Sequence, residues 1–188
     1  MSIQTTVVGS YPVPDWLASL PSEQAVIDAT SVVFKIQENA GIDLVADGEL
    51  YRFDVNHPDT NGMIEYFVKS LGNVRGDITR GDAAEFRRDA GMSFRAKPSA
   101  VVEGGIDEGT LDLPGDYQRA RGLTKSAMKF TLTGPHMLCK TLLDHHYGSR
   151  PELCLAIAEV LAGQVADIDA EVVQVDEANL PGHVDEWE

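Results

Sequence analysis

The chain is poor in cysteine, in basic residues and in long apolar runs, and each shortage closes off a class of function. Two cysteines, Cys139 and Cys154, in 188 residues build no disulfide framework, so a reducing cytoplasm is the expected compartment. Lysine and arginine number 15 against 30 aspartates and glutamates, a formal net charge of −15. Such a surface repels phosphate backbones and argues against nucleic acid as a partner. No apolar run is long enough to span a bilayer, and Met1–Thr6 lack the basic start and apolar stretch of a signal peptide. No membrane role is expected. Internal repeats, low-complexity tracts and His-x-Cys pairs are also missing. What is left is a globular composition, 43 % apolar, long enough for one domain with a real core.

Four short apolar runs stand out, each ending in a glycine-rich or acidic tail. They are Thr5–Val8 followed by Gly9-Ser10-Tyr11-Pro12, Ile42–Ala46 followed by Asp47-Gly48-Glu49, Lys129–Leu132 followed by Thr133-Gly134-Pro135-His136, and Val172–Val175 followed by Asp176-Glu177. Continuous apolar runs of this length read as strands buried on both faces, the habit of parallel strands. Polar tails at the carboxyl ends of parallel strands are where α/β enzymes place their chemistry.

Between the first two runs, Ser22 is a fitting N-cap and Gly41 a fitting terminator for one helix. Ala25, Ala29, Val32, Val33 and Ile36 are expected on its buried face. A second long helix is expected from Arg150-Pro151 to about Asp169, with Leu153, Ile157, Val160, Leu161, Val165 and Ile168 facing the core. Shorter helices are expected over Met63–Leu71 and Met137–Leu143. The stretch 75–125 reads as an irregular or hairpin insertion with one further strand near Ser99–Val102. Gly104-Gly105 and Asp107-Glu108-Gly109 are its turn signals. Arg75, Arg80, Arg87, Arg88, Arg95 and Lys97 crowd this stretch, either as a solvated face or as a patch for an anionic substrate tail. Five parallel strands suit either an arc of a barrel or an open doubly wound sheet.

The four strand-end motifs, in this order, resemble the cobalamin-independent methionine synthase family. Met63-Ile64-Glu65-Tyr66-Phe67 is similar to that family's segment after its second strand. The resemblance implies an α/β fold in which residues 1–188 form strands one to five of an incomplete TIM-type (β/α)8 barrel, with the insertion after strand two. It implies methyl or alkyl transfer to a homocysteine-type thiol, as in methionine synthesis, with the thiolate held on zinc. Gly9 and Ser10 then belong to the turn holding the acceptor. Glu49 and Asp176 are the carboxylates expected to meet its ammonium, and Glu49–Arg52 pairing or helix capping by Asp176 are the bland alternatives. The family's zinc ligands are expected beyond residue 188, with none in this chain.

Where folate-using members carry a tryptophan this chain has Lys140, and where they carry a glutamate it has Gly182 or a neighbour. The chain is therefore also similar to short core-type members and to epoxyalkane:coenzyme M transferases. A half-barrel that binds a ligand or partner without chemistry is a further reading. A uroporphyrinogen-type decarboxylase, from the same superfamily, is disfavoured by the acidic strand ends. His136 with Cys139, and His145-His146 beside Asp144, are the nearest metal-like groupings, and neither supplies three converging ligands. Cys154 reads as a small core residue. His136 is the candidate for substrate contact or acid–base work. The expected partners are a small-molecule thiol and an alkyl donor. A second chain or C-terminal segment is expected to complete the barrel, or else copies of this chain associate.

Overall fold

The computed structural model describes residues 3–57, 60–89 and 95–183. In chain order its elements are α1 (Asp15–Ser19), α2 (Glu23–Asn39), a 3-10 turn (Leu50–Arg52), α3 (Glu65–Val68), β1 (Gly72–Arg75), α4 (Arg80–Asp89) and β2 (Ala100–Asp107). There follow α5 (Leu113–Arg121), β3 (Lys129–Thr133), α6 (Pro135–Lys140), β4 (Leu142–Asp144), α7 (Arg150–Ala166), β5 (Val172–Asp176) and a 3-10 turn (Leu180–Gly182). The fold is mixed α/β. Two compact units divide it: Met1–Gly62, Asp112–Leu132 and Asp167–Gln174 in the first, and Met63–Leu111, Thr133–Ala166 and Val175–Glu188 in the second.

In the first unit the backbone is parallel and ladder-poor. Thr6 bridges Leu44 and Val45 bridges Met128, both in parallel, and β3 neighbours β5. The runs 5–8 and 42–46 are thus isolated bridges, not the expected strands. Side chains take the place of the ladder. The Gln37 amide donates to the Ala46 carbonyl at 2.7 Å and accepts the Ala46 N–H at 2.9 Å. The Asp43 carboxylate accepts both the N–H and the hydroxyl of Thr5 at 2.8 Å. Val45 also pairs directly with Met128, so the run near Ser99–Val102 is no stave of this arrangement.

Burial on both faces holds for Leu44–Ala46 and for all five residues of β3. It fails for Thr5–Val8 and for β5, where Val8, Val172 and Val175 are exposed. These two segments have a neighbour on one side only among the described residues, so water reaches their apolar side chains. Lys129 is nearly sealed within β3, yet its Nζ donates to the Val7 carbonyl and to Gln174 Oε1. A buried ammonium is tolerable because it is hydrogen-bonded.

Helix α2 begins and ends as the sequence predicts. Ser22 caps it, its hydroxyl accepting the Ala25 N–H at 3.1 Å, and Gly41 follows at φ +75°. The buried face is Ala29, Thr30, Val33, Phe34 and Gln37, while Val32 and Ile36 are half exposed on the outer side. Leu17, Ala29, Val33 and Leu50 form the local core.

The second unit contains the three-stranded sheet β1-β2-β4, with β1–β2 antiparallel and β2–β4 parallel. The stretch 75–125, expected as an irregular or hairpin insertion, contains α4, β2 and α5, and β2 pairs back antiparallel to β1. Residues 90–94 lie outside the described residues. Gly104-Gly105 is not a turn but the interior of β2. It faces a register shift at Asn73, which has φ +59° and whose amide donates to the Gly105 carbonyl at 2.7 Å. A side chain at Gly104 would meet Asn73 at 3.1 Å, so glycine allows the close approach. A true turn follows at residues 108–111, where the Leu111 N–H donates to the Glu108 carbonyl at 2.9 Å and Gly109 has φ +54°.

Helix α4 starts on a reciprocal cap. The Asp82 carboxylate accepts the Thr79 N–H at 2.8 Å, and the Thr79 hydroxyl accepts the Asp82 N–H at 3.1 Å. Phe86 of α4 packs with Val101 and Leu143. The expected helix Met137–Leu143 is split into α6 and the short β4. Helix α7 buries Leu153, Ile157 and Leu161, as its spacing predicts.

Candidate functional site

The first unit holds a turn of unusual backbone. Gly48 and Glu49 follow each other at φ +74° and +62°, the left-handed region that a glutamate seldom enters. Gly48 is there for space as well, because a side chain would meet Val33 at 2.9 Å and Tyr11 at 3.1 Å. Its carbonyl accepts the Tyr11 N–H at 2.9 Å, which docks the Gly9–Pro12 loop onto the turn. Gly9 supplies the left-handed bend of that loop, at φ +88°.

This geometry brings Ser10 and Glu49 together. The Ser10 hydroxyl donates to Glu49 Oε2 at 2.7 Å, and Arg52 Nη1 donates to the same oxygen at 2.9 Å. Glu49 Oε1 makes no hydrogen bond among the described residues. Pairing of Glu49 with Arg52, the bland alternative, is therefore present, and it occupies one carboxylate oxygen of two.

Arg52 does more than pair with Glu49, the one role the sequence offered it. It is buried, donates from Nη2 to the Thr131 carbonyl at 2.6 Å and from Nε to the Tyr51 hydroxyl at 2.8 Å, and lies over the Tyr51 ring at 5.2 Å. The i, i+3 spacing from Glu49 was the available signal. Asp47 accepts the Glu49 N–H on Oδ1 at 2.8 Å, while its buried Oδ2 has no partner among the described residues. Burial pushes its carboxyl up to about 6.

Asp176 belongs to the second unit, where its carbonyl accepts the Gly134 N–H at 2.9 Å. The neighbouring Glu177, which sequence reasoning passed over, does visible work. Its two oxygens accept the N–H groups of His136 and Met137, each at 2.8 Å, at the start of α6. Gly134 leaves room for that carboxylate, since a side chain there would overlap it at 2.3 Å. His136 stacks edge-on against His183 at 5.7 Å, and the buried Lys140 Nζ lies 3.5 Å from His183 Nδ1.

The metal-like groupings do not converge. His145 turns to Glu85 at 3.4 Å and His146 to the Tyr147 ring, while Asp144 is spent on the N–H groups of His146, Tyr147 and Gly148. Cys139 Sγ donates to the His136 carbonyl at 3.2 Å and also lies in hydrogen-bonding reach of Cys154, so its single proton has two acceptors. The bond between the thiols, with burial, pushes Cys139 up, and the same bond pulls Cys154 down. Among the described residues no three His, Cys, Asp or Glu side chains are grouped to hold a metal ion. The side chains placed among the described residues do not fit zinc.

The arginine-rich stretch is partly spent on ion pairs. Arg75 binds Glu103 at 2.7 Å and Asp82 at 3.2 Å, and Arg95 binds Glu65 at 2.6 Å. Arg80, Arg87, Arg88 and Lys97 are exposed, as a solvated face would be. No described helix is long and apolar enough to cross a membrane.

Residues 3–186 match the family model described as the cobalamin-independent synthase catalytic domain. A methionine synthase of Thermococcus kodakarensis is 28 % identical over 202 residues, covering 98 % of this chain and 54 % of that protein. One from Sulfurisphaera tokodaii is 26 % identical over 204 residues, covering 99 % and 55 %. The solved structure of a B12-independent methionine synthase from Shewanella sp. W3-18-1, in complex with selenomethionine, superposes with a TM-score of 0.74 at 25 % identity. That match covers 97 % of this chain and 55 % of the other. The chain thus spans about half the length of the relatives it matches, and it belongs to the cobalamin-independent synthase catalytic-domain family.

Proposed function

We propose that this chain carries the acceptor-recognition part of a methyl or alkyl transferase that acts on a homocysteine-type thiol, as in methionine synthesis. The single observation that carries the reading is Glu49. One of its oxygens is anchored by Ser10 and Arg52, and the other has no hydrogen bond among the described residues. An anchored carboxylate with a spare oxygen is pre-organised for a substrate ammonium. Gly9 and Ser10 supply the turn beside it. Asp176 carries the same expectation in the second unit, and His136 is the candidate for acid–base work there. The parallel bridges Thr6–Leu44 and Val45–Met128 support reading the first unit as staves of a (β/α)8 barrel. Metal activation of the thiol is assigned to no residue of this chain.

Binding of L-homocysteine and L-methionine to the purified chain, followed by calorimetry, tests the reading. Glu49→Gln is expected to weaken both by about ten- to a hundredfold, the loss of one charge-assisted hydrogen bond. Unchanged affinity in Glu49→Gln would remove Glu49 from the acceptor site. A preference for thiols without an amino group would favour the coenzyme M type of acceptor.

A further inference from the structure

A second cavity in the first unit is left unused by that reading. It has a volume of about 420 Å3, small but within the range of ligand sites. The first turns of α2, the body of α5 and the residue two beyond its end form its sides, through Val26, Ile27, Ala120 and Leu123, with Phe53 as an aromatic wall. Ser10 and Glu49 do not line it. Its polar groups are mainly acidic: Asp47, Asp54, Asp116 and Glu23, against one cation, Arg119, which is paired with Asp116.

An acidic lining alone is no site. The independent observation is Asp47, which is 2 % exposed, lines this cavity, and leaves Oδ2 without a hydrogen-bond partner among the described residues. A buried carboxylate oxygen without a donor costs folding free energy, and a ligand that brings a donor recovers it. The walls choose the kind of donor. No three carboxylate, imidazole or thiol groups are placed to hold a metal ion among the described residues. Acids in an apolar cavity with an aromatic wall match an organic ammonium on an apolar body.

We propose that this cavity binds a small primary amine with an apolar tail, its ammonium donating to Asp47 Oδ2. The site is separate from the Glu49 acceptor site and does not depend on it. Burial that favours protonated Asp47 in the empty cavity is relieved once a cation sits against it.

The test is titration calorimetry of the purified chain with 4-phenylbutylamine and with the neutral 4-phenyl-1-butanol. The amine is expected to bind one site at least tenfold more tightly than the alcohol. Asp47→Asn is expected to abolish that preference. Ile27→Lys, on the half-exposed rim, is expected to abolish amine binding by placing the protein's own ammonium over the cavity, and it keeps the test decisive if Asp47→Asn does not fold. Glu49→Gln is expected to leave amine binding unchanged. Equal binding of amine and alcohol, amine binding that survives Ile27→Lys, or one-for-one displacement of the amine by L-homocysteine would each overturn the proposal.

Discussion

At the scale of single residues, the chain keeps two neighbouring carboxylates in contrasting states. Glu49 is anchored by an arginine and a hydroxyl, while Asp47 is buried with one oxygen bare. The consequence for pH is specific. Asp47 is lifted from 3.8 to about 6, because burial outweighs the Glu49 N–H and the Arg52 charge. Glu49 and Asp116 add to the rise. The native state therefore holds this proton more tightly than the unfolded chain does. The stabilisation is complete below the ordinary value and is lost as pH rises through about 6. The difference of roughly two units amounts to about 3 kcal/mol. Asp47→Asn keeps an Oδ1 acceptor for the Glu49 N–H and removes the charge. It is expected to gain stability relative to the parent as pH goes from 4.5 to 7.5, read as a growing gap between urea midpoints. A constant gap would show that Asp47 ionises freely in the folded protein.

Among elements, the telling feature is the substitution of side chains for a ladder. Gln37, from the last turns of α2, treats Ala46 as a strand neighbour would, accepting its N–H and donating to its carbonyl. Gln37→Leu keeps volume but strands two buried backbone groups, so a loss of about 2–4 kcal/mol is expected in urea unfolding. A loss below about 0.5 kcal/mol, no more than an ordinary surface change, would mean that water or a rearranged loop serves Ala46 instead. This exchange also explains what the sequence showed and what it hid. Helix α2 was legible at both ends, because Ser22 and Gly41 are local signals with local causes. Ser10 and Glu49 were legible as residues that closely follow apolar runs, although those runs form parallel bridges and not full strands. The choice of Val32 and Ile36 as core residues failed because helical spacing alone does not say which of two apolar stripes meets the core. The 3.6-residue stripe through Ala29, Val33 and Gln37 prevails. Asn73 at positive φ, and the glycines opposite it, were misread because a bulge and a turn use the same residues. Arg52 was legible as a partner for Glu49, but its bond to the Thr131 carbonyl was hidden because only the fold brings the two together.

At the scale of the whole molecule, the exposed apolar edge residues are the main fact. Val8 is 77 % exposed, Val175 53 % and Val172 42 %, all in segments with parallel-strand character. Strand edges with apolar side chains are templates for pairing. The chain is expected to associate, either with itself or with a segment that supplies further strands. Sedimentation velocity over a range of concentrations reads this directly. A species that stays monomeric at high micromolar concentration with a cooperative melt would show that the edges are self-sufficient and favour the open-sheet arrangement. The thiol pair of the second unit offers a way to watch such events without a label. Cys154 is half-buried with its ionisation eased by its neighbour, whereas Cys139 is sealed and its ionisation opposed. Thiol reagents attack thiolates, so the two sites should report on different clocks. Cys154 would be modified on mixing, and Cys139 only when α6 and α7 part, which makes the slow phase of a colorimetric thiol assay a direct count of opening events in that unit.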